Sequence, residues 1–285
     1  KVTDWLTLQA RGNLDYSADK LRQKFYASTA TALCGMNGRY IEMDYQETQM
    51  YGDVMAMVKK QLNDFILDVA IGGSINDRIT NSTRIDSKNA SLKYANVFNL
   101  ANIVMSSSAS IDQKIDAHYQ LQSVFATAQI GYKEGVFLDL TARNDWSSTL
   151  AYTKYEKKGF FYPSVGVSFL PDKWVKMPEW VSFSKLRGAY SIVGNGVPPF
   201  ITYPVSYVTA GGEILASDAA PFAEMKPEMT HSVELGIEWK FLQHRLGLNL
   251  TYYRTDTYEQ FFKLPALAGD KYAYRYVNAG DIRNQ

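Results

Sequence analysis

The sequence is short of most of the parts from which soluble enzymes and metal proteins are built. It holds one cysteine, Cys34, and three scattered histidines, His118, His231 and His244. One thiol cannot close an internal disulfide, and this set matches no zinc-ligand spacing, so a protein-built metal site is not expected. Charge of either sign is in no excess: Lys+Arg 30 against Asp+Glu 29 leaves a formal net charge of +1, which is not the basic footprint that nucleic acid demands. Long apolar runs are missing too. The longest, Val54 to Val58, is far below the roughly 18 residues of a membrane-crossing helix. That leaves membrane crossing by strands open, because a barrel strand needs only about ten residues of alternating character.

Alternation is what the sequence has in quantity. Val233, Leu235, Ile237 and Trp239 alternate with polar residues. After the connector 241–244 the pattern resumes as Leu246, Leu248, Leu250 and Tyr252, an antiparallel hairpin. Residues 118–130 and 136–142 form a second hairpin, and Val54–Lys60 with Phe65–Ile71 a third, turning at Asn63-Asp64. Residues 51–62 also fit a short amphipathic helix, but the turn that follows favours a strand. Connectors alternate in length. They are tight near 63–64, 133–134 and 242–243 and long over 15–52, 77–117, 146–159, 195–229 and 256–276, with 171–184 intermediate. Short turns at one end and long loops at the other are the plan of an outer-membrane barrel. The fold expected is all-β: part of an antiparallel transmembrane barrel of about ten strands.

Aromatic residues gather near strand ends. Trp5, Tyr132, Trp174, Trp180, Trp239 and Phe241 fall at the tight-turn end, and Trp146, Tyr152, Phe160, Phe161, Tyr162 and Tyr253 at the long-loop end. Two such bands are expected where strands pass lipid headgroups.

Several segments resemble the SusC/RagA-like TonB-dependent transporters of the Bacteroidetes outer membrane: 121–125 with Gly131-Tyr132-Lys133 and 140–148; Phe161-Tyr162-Pro163-Ser164-Val165-Gly166; Lys185-Leu186-Arg187-Gly188-Ala189-Tyr190 with Val193-Gly194-Asn195; Lys226-Pro227-Glu228 with Glu234-Leu235-Gly236; and Asn278-Ala279-Gly280-Asp281-Ile282. Their order is that of the middle of the family's barrel. The resemblance implies that residues 1–285 are a stretch of a roughly 22-stranded plugged barrel, without the plug and the closing strands. The chain is then expected to be a fragment, an open half-cylinder whose first strand, near Val2 to Asp15, and last, beginning near Tyr276, each expose a free edge. It further implies an importer of oligosaccharides or peptides in the bacterial outer membrane. Its partners would be the TonB complex, outer-membrane lipid, the remainder of its own barrel, and a SusD-like surface lipoprotein contacted by the loops 195–229 and 256–276.

Other patterns read as architecture. Ser182-Phe183-Ser184-Lys185 fits an acyl-transfer motif but lacks companion motifs and leads into a strand. Asp139 and Asp145 read as lumen-facing polar residues rather than an acid–base pair. Asp77, Asn81 and Asp86 read as a solvated loop rather than a calcium site. Gly188, Gly194 and Gly236 read as places of bending or close approach. No catalytic residue, metal or cofactor is expected. The candidate substrate contacts are Phe200, Tyr203 and Tyr207 on one loop and Tyr272, Tyr274 and Tyr276 on another, flat amphipathic side chains suited to sugars or peptides. The alternative is a soluble or surface-attached β-rich glycan-binding module without a transport role, which would show polar outward faces.

Overall fold

The computed structural model describes residues 1–88, 92–104, 110–208 and 214–285. The described residues form fifteen strands: β1 Leu6–Phe25, β2 Arg39–Leu62, β3 Phe65–Asp86, β4 Ser110–Tyr132, β5 Val136–Ser147, β6 Phe160–Phe169, β7 Val181–Asn195, β8 Tyr207–Val208, β9 Ile214–Leu215, β10 Ala219–Ala220, β11 Glu228–Phe241, β12 Leu246–Tyr258, β13 Phe261–Pro265, β14 Tyr274–Asn278 and β15 Ile282–Asn284. Ten of them form one sheet in the order β1-β2-β3-β4-β5-β6-β7-β11-β12-β15, with antiparallel neighbours throughout. Among the described residues β1 pairs only with β2 and β15 only with β12, so the sheet stays open at both edges. The first edge lies where the sequence places it. The last does not: Tyr276 sits in β14, part of a separate three-stranded sheet β10-β14-β13, and the edge of the main sheet is β15.

The cross-strand register assigns the faces, since directly opposed residues share a side. Leu8 opposes Ala56, Ala56 opposes Ile71, Ile71 opposes Ala126, Ala126 opposes Ala142 and Ala142 opposes Pro163. The same face carries Leu186, Ile237 and Leu250 across β7, β11 and β12. Leu8, Val54, Ile71, Leu235 and Leu250 on it are exposed. A broad apolar face with no protein cover belongs in lipid, because water would not tolerate so large a patch. The soluble-module alternative fails here.

Tight turns enforce the hairpins. Asn63, the pair Lys133 and Glu134, and the run Leu242, Gln243 and His244 adopt positive φ of 47–66°, the left-handed turn geometry that matches strand twist. At this end Phe65 packs on Tyr132 at 4.8 Å, Tyr132 on Trp174 at 5.5 Å and Trp180 on Phe241 at 5.6 Å, as a headgroup-level aromatic band would. At the long-loop end the band is partly different from expectation. Trp146 and Phe161 lie on the apolar face. Phe160, Tyr162 and Tyr253 oppose Asp145, Arg143 and Glu234 on the polar face, and Tyr252 takes the position expected of Tyr253.

Two expected loops are shorter than the sequence suggests. Residues 15–25 and 39–52 form one continuous ladder in which Asp15 pairs with Gln49 and Phe25 with Arg39. Asp77 to Asp86 likewise pairs with β4, so Asp77 and Asn81 are strand residues. Polar residues lie on both faces of these segments, and only Arg39–Gln49 keeps an alternation to read, as Ile41-Glu42-Met43-Asp44-Tyr45-Gln46. They are held by cross-strand ion pairs such as Lys20 with Glu42 at 2.7 Å and by a capping core at the tip, where buried Tyr40, Leu92 and Ile103 pack with Ile85 and Phe98.

Candidate functional site

On the face opposite the apolar one, charged residues pair along and across strands. Arg11 is bidentate to Asp53 at 3.0–3.1 Å, Arg78 contacts Glu47 at 2.6 Å, and Arg143 bridges Asp145 at 2.7 Å and Ser123 Oγ at 2.8 Å. Arg187 reaches Glu234 at 3.2 Å and Thr251 Oγ1 at 2.8 Å. Asp139 accepts from Gln129 Nε2 at 2.7 Å rather than facing Asp145 as an acid–base partner. Gly236 has a direct reason to lack a side chain: a Cβ there would come within 2.3 Å of Arg187 Nε. Such a wall suits a hydrated interior, where each of these carboxylates has a donor.

Above this wall the loops of the second half fold into a cap. Buried Leu150, Val197 and Met225 form its core, with Phe160, Ile201, Phe222, Phe261 and Tyr276 packed around them. Phe160 belongs to the polar-face set, so the cap leans over that face. Its clasp joins three of the sequence segments quoted above. Asn278 Nδ2 donates to the Lys226 and Glu259 carbonyls at 3.0 and 2.7 Å, and its Oδ1 accepts from Lys226 N at 2.9 Å. Glu228 accepts from Phe261 N at 3.2 Å and from Asn195 Nδ2 at 3.3 Å. Lys226 reaches Glu259 at 2.9 Å, and that carboxylate holds its ammonium above the ordinary lysine value. Asn195, the Lys226–Glu228 segment and Asn278 lie far apart in sequence, and spacing alone does not bring them together.

The six candidate contact residues divide within the cap. Tyr203 is exposed and stacks on Tyr152 at 4.7 Å, and Phe200 is exposed with φ 64°. Tyr207 pairs through its backbone with Leu215 in β8–β9; its side chain lies outside the described residues. Tyr274 stands edge-on to Tyr276 at 5.8 Å, with Lys263 Nζ 3.6 Å from its ring centroid, and Lys271 Nζ lies 5.4 Å from the Tyr272 ring. Tyr276 packs into the cap core, where burial, then neighbouring Tyr274, raises its phenol above the ordinary value. The two loops are stitched together by parallel β10–β14 pairing, Ala219 with Tyr274. Tyr152, expected in the headgroup band, lies instead against Tyr203 in the cap. Its flank, Leu150-Ala151-Tyr152-Thr153, carried no signal of the partner loop.

Asp86 is fully buried and is no part of a solvated loop. Arg39 binds it at 2.7 and 2.8 Å, Arg84 at 2.6 Å and Lys88 N at 2.7 Å. Burial pushes this carboxyl up, and the Arg39 and Lys88 hydrogen bonds with the two guanidinium charges outweigh it, leaving the group below the usual range.

Comparison with known proteins completes the description. The family model described as TonB dependent receptor-like, beta-barrel matches residues 2–285. TonB-dependent receptor P3 of Formosa agariphila is 25% identical over 176 residues, covering 58% of this chain and 17% of that protein. The fold superposes on a chain of the RagAB peptide transporter with TM-score 0.81 at 19% identity, over 99% of this chain and 31% of that one. It superposes on the copper transporter OprC with TM-score 0.57 at 12% identity, over 99% of this chain and 39% of that one. The chain thus spans less than two fifths of the length of each of these relatives.

Proposed function

The chain belongs to the TonB-dependent receptor-like β-barrel family of the outer membrane, a family of transport proteins and not enzymes, and from that premise we propose that it is a stretch of barrel wall and outer cap in an importer of oligosaccharides or peptides. The observation that carries this is the two-sided sheet: an apolar band from Leu8 to Leu250 on one side and an ion-paired polar face on the other, with the loop cap over the polar side. Such a wall separates lipid from a wet passage. The polar face meets the plug and the moving ligand, while the cap supplies first contact through Phe200, Tyr203, Tyr207, Tyr272, Tyr274 and Tyr276. In this reading the remainder of the barrel pairs with β1 and with the β12–β15 edge. An unpaired edge in lipid costs several kcal/mol per backbone group. The TonB complex supplies energy through the plug, and a SusD-like lipoprotein covers the loops 195–229 and 256–276. Peptide is the cargo named for RagAB, and oligosaccharide is the cargo that the exposed tyrosines suit equally.

Growth of a strain lacking the gene, on a panel of glycans and peptides each as sole carbon source, tests the proposal. The expected result is a selective growth defect on one class, restored by the full-length gene. Unchanged growth on every member of the panel rejects the importer reading.

A further inference from the structure

Two aromatic residues of the cap hold backbone conformations that bulky side chains rarely adopt: Tyr152 and Phe200 both sit at φ 64°. Left-handed geometry at such residues survives only where the surroundings impose it, and it clusters at sites where presentation of a group matters. The surroundings here do impose it. Thr202, itself buried, donates through Oγ1 to the Ala151 carbonyl at 3.0 Å. Thr153 Oγ1 closes on the Leu150 carbonyl at 2.7 Å, and Tyr152 N is held by Glu156 Oε2 at 3.0 Å. Leu150, Val197 and Ile201 anchor both loops from below. The scaffold is buried, yet what it displays is not: Tyr152 is 70% exposed and Tyr203 52%, with their rings 4.7 Å apart and tilted by 36°. Rings that exposed contribute little to the cap's own core, so internal packing does not account for the strained backbone beneath them.

The chemistry around the pair selects its ligand. Residues 196–208 contain no charged side chain and three prolines, Pro198, Pro199 and Pro204. The nearby Lys154 is already paired with Glu224, and Glu156 is engaged by Tyr152 N. Lys158 lies over the Tyr155 and Phe160 rings, and the 196–208 loop itself offers no charge to neutralise a peptide terminus or a phosphate. Prolines offer no N–H to an extended peptide backbone, and the Thr202 carbonyl is taken by Phe222 N at 3.1 Å. What remains is a pair of aromatic faces rimmed by phenolic hydroxyls.

We infer that Tyr152 and Tyr203, braced by Thr202 and flanked by Phe200, form an aromatic platform for an uncharged pyranose ring of an oligosaccharide. The C–H face of the sugar lies on the rings, and its hydroxyls meet the Tyr hydroxyls at the rim. This rests on the importer reading and narrows it to neutral glycans.

The test uses full-length protein in detergent and isothermal titration with maltoheptaose, cellohexaose and mannohexaose, beside a tryptic casein digest. Tyr152→Gly and Tyr203→Ala should each weaken binding of at least one of these glycans by about tenfold or more, and Tyr203→Phe by less than about threefold. Tyr152→Gly should leave the melting temperature unchanged or raise it, because glycine accepts the left-handed backbone without strain; a merely structural ring would give the reverse. Full-strength glycan binding in Tyr152→Gly and Tyr203→Ala overturns the platform. So does binding of the casein peptides alone, or of none of the probes. Each of those outcomes leaves the importer reading standing, since that reading is judged by growth.

Discussion

The first four strands and the later ones cross the same lipid band but part company above it. Strands β1 to β4 are 20–24 residues long, whereas β5, β6, β7, β11 and β12 have 10–15. About ten residues suffice for the hydrocarbon, so roughly half of each tall strand stands clear of it. The tall wall ends in a small tip built on Tyr40, Leu92 and Ile103 and on buried Asp86. The short wall stops near the headgroups and hands over to irregular loops with their own core of Leu150, Val197 and Met225. One region reaches outward by extending a ladder whose hydrogen bonds are already in place, the other by folding loops over the passage. The ladder gives height at little sequence cost. The loops give inward-leaning surface and varied side chains, which is where a binding site is built.

The sharpest way to break this comparison is Asp86→Ala. It strands Arg39 and Arg84 without their partner, and removing one member of a buried ion pair costs about 3–5 kcal/mol. Arg39 also donates to the Leu33 carbonyl at 3.0 Å, beside buried Cys34, so thiol labelling of Cys34 should accelerate by two orders of magnitude or more while the short-wall cap is untouched. Unchanged labelling would refute the role given to Asp86.

Matched core truncations sharpen it further. Leu92→Ala and Leu150→Ala each remove a fully buried side chain, at a cost of about 2–5 kcal/mol. The first should speed Cys34 labelling alone. The second should expose only residues 148–159 and 196–227 to protease. If either variant opened both caps, the two regions would be one cooperative unit.

The smallest effect expected is one of pH. Glu42 lies above the lipid band, and its hydrogen bonds from Lys20 and then Tyr40 hold its carboxyl at about 2, against an ordinary 4.5. A depressed carboxylate stabilises fully above its ordinary value and loses that contribution as pH falls through the folded one. Lys226 in the short-wall cap is shifted the other way, upward; its contribution is whole below 10.5 and fades as pH climbs past that. Acid should therefore loosen the tall wall first. Cys34 labelling between pH 4.5 and about 2, normalised to a free cysteine peptide at each pH, should rise before loops 196–227 become protease-sensitive; the opposite order would contradict the assignment.

How much of this was legible follows from where burial is one-sided. Val233-Leu235-Ile237-Trp239 and their partners Leu246 to Tyr252 have one face in lipid and one in water, so the alternation spells out both strand and register. Asp15 to Phe25 has water on both sides, and nothing in Asp-Tyr-Ser-Ala-Asp-Lys-Leu-Arg-Gln-Lys-Phe marks it as strand. Only the partner Arg39–Gln49 does. The cap was visible as two long loops, but the β10–β14 pairing and the Lys226–Asn278 clasp depend on contacts between segments more than 50 residues apart, which no local pattern records. Phe200 and Tyr203 could be named from aromaticity alone. Tyr152 could not, because its contact with Tyr203 is set by the loop it meets.

The uninterrupted register of β1 on β2, from Leu6 opposite Val58 to Phe25 opposite Arg39, has a further consequence for assembly. Because side chains alternate, a slip by one residue would exchange the two faces, driving Arg11 into hydrocarbon and Leu14 into water. A misplaced arginine costs about 2–4 kcal/mol at the bilayer midplane and less near its edges, and the error would also separate Arg11 from Asp53. The paired charges of the polar face thus act as an error-correcting code: a hairpin threaded out of register is penalised by its own polar-face residues.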